Sequence, residues 1–210
     1  PPRSTLFPYT TLFRSPTETK KLGVLGSGLM GHGITYVSAL AGLEVVMTDS
    51  SQEYAENGLS RIKTILNEGI KHGRTTKEKV DEILNRITAT ADYKKLADCD
   101  LIIEAVFEDR ELKAKVTGMA ENIMDSNGVF ASNTSTLPIT GLAKKSIRPE
   151  KFIGIHFFSP VHKMKLVEII IGGKTSAETI AKAFDYGLKI RKIPIRSEER
   201  RVGKECRSRW

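Results

Sequence analysis

Residues 21–33 read KLGVLGSGLMGHG, and no other stretch restricts the fold as much. An apolar run from Leu22 to Leu25 meets Gly26, Gly28 and Gly31, spaced G-x-G-x-x-G, and residues 29–41 follow with helical character up to Gly42. In that register the first glycine permits a tight strand-to-helix turn, the second lets backbone approach a pyrophosphate, and the third lets the helix pack closely on the strand. The helix then offers free N–H groups and the positive end of its dipole to an anion. Glycine-rich turns also occur without any ligand, so a second feature has to decide. Asp49 supplies it. It closes the next apolar run, Val45 to Thr48, 18 residues after Gly31, about the spacing at which a carboxylate receives the ribose hydroxyls of a dinucleotide. The same charge would repel a 2′-phosphate, and Ser50 and Ser51 offer no arginine to receive one, so the pattern favours NAD over NADP. The plain alternative is an acidic residue opening a solvated turn.

The two ends of the chain are related to each other through the genetic code. With CCA for Pro1 the reverse complement TGG encodes Trp210; CCG for Pro2 gives CGG for Arg209; ACA for Thr5 gives TGT for Cys206; TTT for Phe7 gives AAA for Lys204; and the pairing runs on to TCT for Ser15 and AGA for Arg196. Residues 1–15 and 196–210 therefore read as a translated inverted repeat that resembles sequencing adapter, with residues 16–195 as the native segment. Composition changes accordingly. The whole chain carries 33 Lys and Arg against 25 Asp and Glu, a net +8, but residues 16–195 carry 25 against 22, a net +3. A nucleic-acid or anionic-membrane partner loses its support, because that would need a basic patch or stripe. Cys99 becomes the single cysteine, which fits a reduced, cytoplasmic setting. No apolar run approaches the 18 residues of a membrane span.

The remaining pattern alternates strands and helices. Residues 52–71 place Leu59, Ile62, Ile65, Leu66 and Ile70 on one helical face, and a charged helix over 77–84 follows a polar turn. The pair predicts a helical hairpin inserted before a strand at 87–90. Residues 101–107, LIIEAVF, read as one strand, apolar apart from Glu104, as expected when both faces are covered. A helix over 110–124 leads to a strand at 129–132 that ends in Asn133, Thr134 and Ser135. Strands at 152–157 and 166–171 flank a turn containing Pro160, a helix covers 177–190, and residues 193–195 begin a last strand. The fold class is α/β, a Rossmann-like doubly wound and mostly parallel sheet. Ligands in such sheets bind beyond the carboxyl ends of the strands, where Asp49, Glu108 and Ser135 converge.

Candidate chemistry sits where polar residues interrupt apolar strands. His156 ends one strand and Glu168, 12 residues later, lies within the next. On neighbouring strands, the carboxylate could hold the imidazole in one tautomer and stabilise its protonated form, as a general base requires. A lone strand histidine is more often structural. A metal site from His156, His162 and Glu168 is a weaker alternative, since Lys163 and Lys165 would oppose a cation; no metal is expected.

GVLGSGLMGHGI, VFEDRELK, SNTSTLPI and IHFFSPVHKMKLVEII, in this order, resemble the NAD-binding domain of 3-hydroxyacyl-CoA dehydrogenases, most of all those of multifunctional fatty-acid oxidation proteins. The resemblance spans residues 20–195. It implies NAD-dependent oxidation of a (3S)-3-hydroxyacyl-CoA to the 3-oxoacyl-CoA in β-oxidation, with His156 as the base, Glu168 as its orienting partner and Ser135 touching substrate and cofactor. It carries Gly26, Gly28, Met30, Gly31, Asp49, Phe107, Glu108, Lys113, Ser135 and Ser159 over as cofactor contacts. Ser159 departs from the asparagine many members have after HFF, and His32 has no matching role. An all-helical domain follows the last strand in the family, supplying a dimer interface and part of the acyl pocket. The expectation for these residues alone is weak NAD binding and little turnover, and for the parent a homodimer or a multifunctional complex. Two rival readings remain: a β-hydroxyacid dehydrogenase acting on a free acid, which would typically use a lysine base and lack HFF-x-P, and a catalytically silent nucleotide-binding module.

Overall fold

Each short apolar run becomes a strand of one sheet, and each amphipathic stretch between them folds back across it. The computed structural model describes residues 16–199. In chain order they form β1 (Lys21–Leu25), α1 (Leu29–Leu40), β2 (Glu44–Thr48), α2 (Gln52–Lys71), α3 (Lys77–Asn85), β3 (Ile87–Thr90), β4 (Leu101–Glu104), α4 (Arg110–Glu121), β5 (Val129–Ser132), α5 (Ile139–Ala143), β6 (Phe152–Phe157), β7 (Leu166–Ile171), α6 (Ala177–Lys189) and β8 (Ile193–Glu198). The eight strands lie in one sheet, ordered β3-β2-β1-β4-β5-β6-β7-β8. The strands from β3 through β6 are parallel, β7 runs antiparallel to β6, and β8 runs parallel to β7. The order reverses between β1 and β4, and that switch point opens the crevice expected to hold a ligand.

Local chemistry sets the helix starts. Ser51, Thr76, Asp109 and Ser176 accept the backbone N–H of the third residue onward at the starts of α2, α3, α4 and α6. Apolar packing then covers both faces. Leu22, Val24, Ile34, Met47, Ile62, Ile155 and Val167 join one buried cluster, and Leu25, Ile102, Val116, Phe130, Ile139 and Phe152 join the other. β1 and β4 are covered on both faces, as a central parallel strand requires.

Three boundaries depart from the sequence reading by more than one residue. β4 stops at Glu104, not at 107. Its partner β1 ends at the paired Leu25 and turns away at Gly26, so Ala105 makes the last bridge, to the Leu25 carbonyl, and Phe107 emerges 87 % exposed. α4 ends at Glu121, where Ile123 and Met124 tighten onto the Ala120 carbonyl instead of continuing the helix. β8 runs past Ile195 to Glu198, paired with Ile171; a parallel ladder is built from backbone groups, which any residue except proline supplies. Residues 1–15 and 200–210, most of the inverted repeat, lie outside the described residues. Among the described residues, no helix is long and apolar enough to cross a membrane.

Candidate active site

At the turn between β1 and α1, Gly26 has φ 96°, a region where L side chains are strained, and its N–H donates to the Thr48 carbonyl at 2.8 Å. A Cβ added at Gly31 would fall 1.7 Å from the Gly26 carbonyl oxygen, whereas one added at Gly28 would meet nothing within 4 Å. The third glycine is thus required for packing, and the second leaves backbone open to approach. No side chain caps the start of α1, where Gly28 stands at the N-cap. The first N–H groups of the helix therefore remain free for an anion. Met30, in the first turn, is partly buried against the core.

Asp49 extends from the end of β2 under this turn. Its carboxylate accepts the Ser27 N–H at 2.7 Å, the Ser27 hydroxyl at 2.6 Å and the Ser50 N–H at 2.7 Å. Burial alone would raise its pKa, but these donors outweigh burial and hold it below the ordinary value. The carboxylate is fixed in its charged form with lone pairs to spare, which suits ribose hydroxyls.

The other half of the site hangs on β6 and β7. Antiparallel register sets His156 opposite Glu168, and Nδ1 lies 2.8 Å from Glu168 Oε2. An ionised carboxylate only accepts, so Nδ1–H is the donor, and in the neutral imidazole Nε2 then carries the lone pair. That nitrogen lies 3.2 Å from Ser135 Oγ, and the Phe158 ring stands 4.7 Å from the imidazole, centre to centre. The His156 and Glu168 side chains are 15 % and 18 % exposed, sheltered but reachable. Such a row can accept a proton at Nε2 and hold it there.

Glu108 fixes Ser135 in place. Its carboxylate accepts from Thr134 Oγ1 at 2.5 Å, from the Ser135 and Thr136 N–H groups at 3.0 Å each, and from Thr136 Oγ1 at 3.1 Å. Partial burial works against the charge, but the Thr134 and Thr136 donors and the Lys113 ammonium prevail and bring its pKa down to about 2. Asn133 adds a second brace: its side-chain oxygen accepts the Phe157 N–H at 2.9 Å, joining the end of β5 to the strand of His156.

Beneath Glu108 lies a buried ion pair. Lys113, 1 % exposed, places Nζ 2.7 Å from Glu104 Oε1 and 3.4 Å from Glu108 Oε2. Glu104 is fully buried, accepts the Val106 N–H at 2.8 Å and the Ser132 hydroxyl at 2.7 Å, and has its pKa pushed up by burial against the pull of Lys113. The residues expected from sequence therefore fall into two groups, Gly26, Gly28, Met30, Gly31 and Asp49 around the turn, and Glu108, Lys113, Ser135, His156 and Glu168 in one connected polar array. Phe107 and Ser159 stand exposed in the segments that follow β4 and β6. His162 does not join the His156 pair; it faces the Tyr36 ring edge-on at 6.2 Å. His32, which has no matching role in the family, is partly buried with Nδ1 2.7 Å from the Gly28 carbonyl. Glu104 and Thr136 were missed. The lone acid inside LIIEAVF was the available signal for the first, and the hydroxyl run after β5 for the second.

Comparison with known proteins gives the family. Residues 21–200 match the family described as 3-hydroxyacyl-CoA dehydrogenase, NAD binding domain. The chain is similar to the fatty acid oxidation complex subunit alpha of Idiomarina loihiensis, 46 % identical over 178 residues, covering 85 % of this chain and 25 % of that protein. It is also similar to the crystal structure of a (S)-3-hydroxybutyryl-CoA dehydrogenase from Ralstonia eutropha, with TM-score 0.85, 36 % identity and coverage of 87 % of this chain and 64 % of that one. For the dehydrogenase part of a multifunctional enzyme from C. elegans the values are 0.78, 30 %, 87 % and 42 %. The chain thus spans a quarter of the curated relative and less than two thirds of these structures.

Proposed function

The chain belongs to the family of 3-hydroxyacyl-CoA dehydrogenase NAD-binding domains, and from that premise we propose that it is the cofactor half of an enzyme oxidising a (3S)-3-hydroxyacyl-CoA to the 3-oxoacyl-CoA. The observation that carries this reading is the row Glu168–His156–Ser135, with contacts of 2.8 and 3.2 Å, at the carboxyl edge of the sheet that also holds the glycine turn. The residues present fit NAD: an uncapped helix start, an open Gly28 backbone and a charged Asp49. Bound NAD supplies the hydride acceptor. His156 takes the proton of the 3-hydroxyl at Nε2, in the position Ser135 Oγ now faces, and Glu168 stabilises the resulting imidazolium through Nδ1–H. Ser135, held by Glu108, orients the same hydroxyl. Asp49 selects against a 2′-phosphate by charge.

The resemblance to a complex alpha subunit supports a cytoplasmic parent that works within a larger fatty-acid oxidation assembly or as a homodimer. Residues 16–195 are proposed as the native part of the domain. The test is NADH formation at 340 nm by the whole protein, comparing a 3-hydroxyacyl-CoA with the free 3-hydroxyacid and NAD with NADP. Turnover confined to the thioester and NAD is expected. Preference for the free acid would assign the chain to the β-hydroxyacid dehydrogenases. Absence of turnover by a folded, NAD-binding protein would make it a silent nucleotide-binding module.

A further inference from the structure

We propose that Lys192 is a positioning residue that fixes the β6–β7 turn, and with it the His156–Glu168 pair, against the helix that opens at the glycine turn. Lys192 lies between α6 and β8 and is 7 % exposed. Its ammonium donates to the carbonyl oxygens of Val161 and Met164, both in the turn that joins the strand of His156 to the strand of Glu168. Among the described residues no carboxylate forms an ion pair with it. A buried ammonium without a counter-charge is costly unless its hydrogen bonds are satisfied, so the two carbonyls are its substitute for water. Burial accordingly lowers its pKa.

The turn is gripped from both sides. Lys163 and Met164 both donate their N–H groups to the Pro160 carbonyl, at 2.9 and 3.0 Å, which curls the segment over Lys192. The Ile193 N–H donates to the Lys165 carbonyl at 2.8 Å, so the residue after Lys192 is pinned to the same segment. On the other side Val161, 3 % exposed, presses on α1 so closely that a Cβ at Gly33 would sit 2.8 Å from Val161 Cβ. α1 starts at Gly28–Leu29, and the turn therefore links the cofactor helix to the catalytic hairpin. Lys192 touches neither His156 nor Glu168; it acts through the carbonyls that set where their strands end. A methionine there would fill the volume and leave both carbonyls unpaired, and the hairpin could then shift relative to α1.

The proposal rests on the proposed function only for its kinetic arm, so the test has two. In the 210-residue chain, the imidazole N–H proton of His156 bonded to Glu168 is followed by NMR in wild type and Lys192→Met. In the whole protein, kcat and KM for NAD are followed in the same pair. The expected result is a displaced or broadened imidazole proton with faster solvent exchange, and a kcat lowered about 10- to 100-fold, the scale of a small misplacement of reacting groups, while KM for NAD changes less than about 3-fold. A folded Lys192→Met with an unchanged proton resonance and unchanged kcat overturns the proposal. If Lys192→Met does not fold, Lys192→Gln, which is neutral, shorter and unable to serve both the Val161 and Met164 carbonyls, must produce the same two changes; unchanged readouts there overturn it as well. A wild-type protein with no turnover would instead defeat the proposed function and leave the NMR arm to decide this one.

Discussion

Replacing Lys113 by Met should destabilise this protein more than any substitution on its surface, and a partner substitution should recover most of the loss. Nζ of Lys113 is 2.7 Å from Glu104 Oε1, with the side chains 1 % and 0 % exposed. Removing one member of a buried pair leaves an uncompensated charge and costs roughly 3–5 kcal/mol. Glu104 would keep the Val106 N–H and the Ser132 hydroxyl, which places Lys113→Met at the low end, about 3 kcal/mol. For a domain of this size that lowers Tm by about 6–12 °C. Glu104→Gln alone should cost less, because Lys113 still has Glu108 Oε2 at 3.4 Å. The double variant Glu104→Gln/Lys113→Met removes both charges and retains an amide that can serve Val106 and Ser132. It should lie within about 1.5 kcal/mol of wild type, since neutral replacement of a buried pair is often tolerated. Urea unfolding of the four proteins at pH 7 closes the cycle. The sign with pH follows from burial, which already raises the Glu104 pKa with Lys113 present. Without Lys113 that pKa rises further, so the loss is full above it and fades as the pH falls through it and the carboxyl becomes neutral. Additive single effects, or a Lys113→Met loss under about 1 kcal/mol, would refute the reasoning, because an uncompensated buried charge cannot be that cheap.

The glycine turn and the loop beside Ser135 give further expectations. Gly31→Ala should weaken NADH binding at least 10-fold and destabilise the fold together, because its Cβ would meet the Gly26 carbonyl at 1.7 Å. Gly28→Ala has room and should cost no more than about 1 kcal/mol of unfolding stability, the scale of a poorer N-cap, while still weakening NADH in a fluorescence titration; equal stability losses in the two would contradict the division of labour between these glycines. Glu108, with a pKa of about 2 against an ordinary 4.5, stabilises the fold fully above pH 4.5, and that contribution is lost as the pH falls toward 2. Acid unfolding of Glu108→Gln should lack this step, and an identical profile for the variant would rule it out.

How much of this could be read from the residues depended on whether the signal was local. The strands at 129–132, 152–157 and 166–171 and the helix at 52–71 match the structure to the residue, because apolar periodicity and capping by Ser51 are encoded where they act. The G-x-G-x-x-G register likewise announced both the φ of Gly26 and the close approach at Gly31. β4 was read three residues too long because the apolar run continues to Phe107, while the partner strand that would pair with it ends at Leu25. The facing of His156 and Glu168 followed from two adjacent strands. The Glu104–Lys113 pair and the Lys192 clamp did not, since each joins side chains to groups on other elements and neither leaves a periodic trace. Buried lysines look like surface lysines in a sequence. The hydroxyls of Thr134 and Thr136 were visible, but their convergence on Glu108, 26 and 28 residues earlier, required the sheet.

The most direct test of the central claim is the pre-steady-state rate of NADH formation by the whole protein with a (3S)-3-hydroxyacyl-CoA, in wild type and His156→Ala. With His156 Nε2 as the proton acceptor, the variant should be slower by about 10²- to 10⁴-fold, the contribution of a positioned base, while its affinity for NAD, which we propose rests on Asp49 and the glycine turn, stays within about 3-fold. A variant that forms NADH at the wild-type rate would contradict the assignment of His156 and the function built on it.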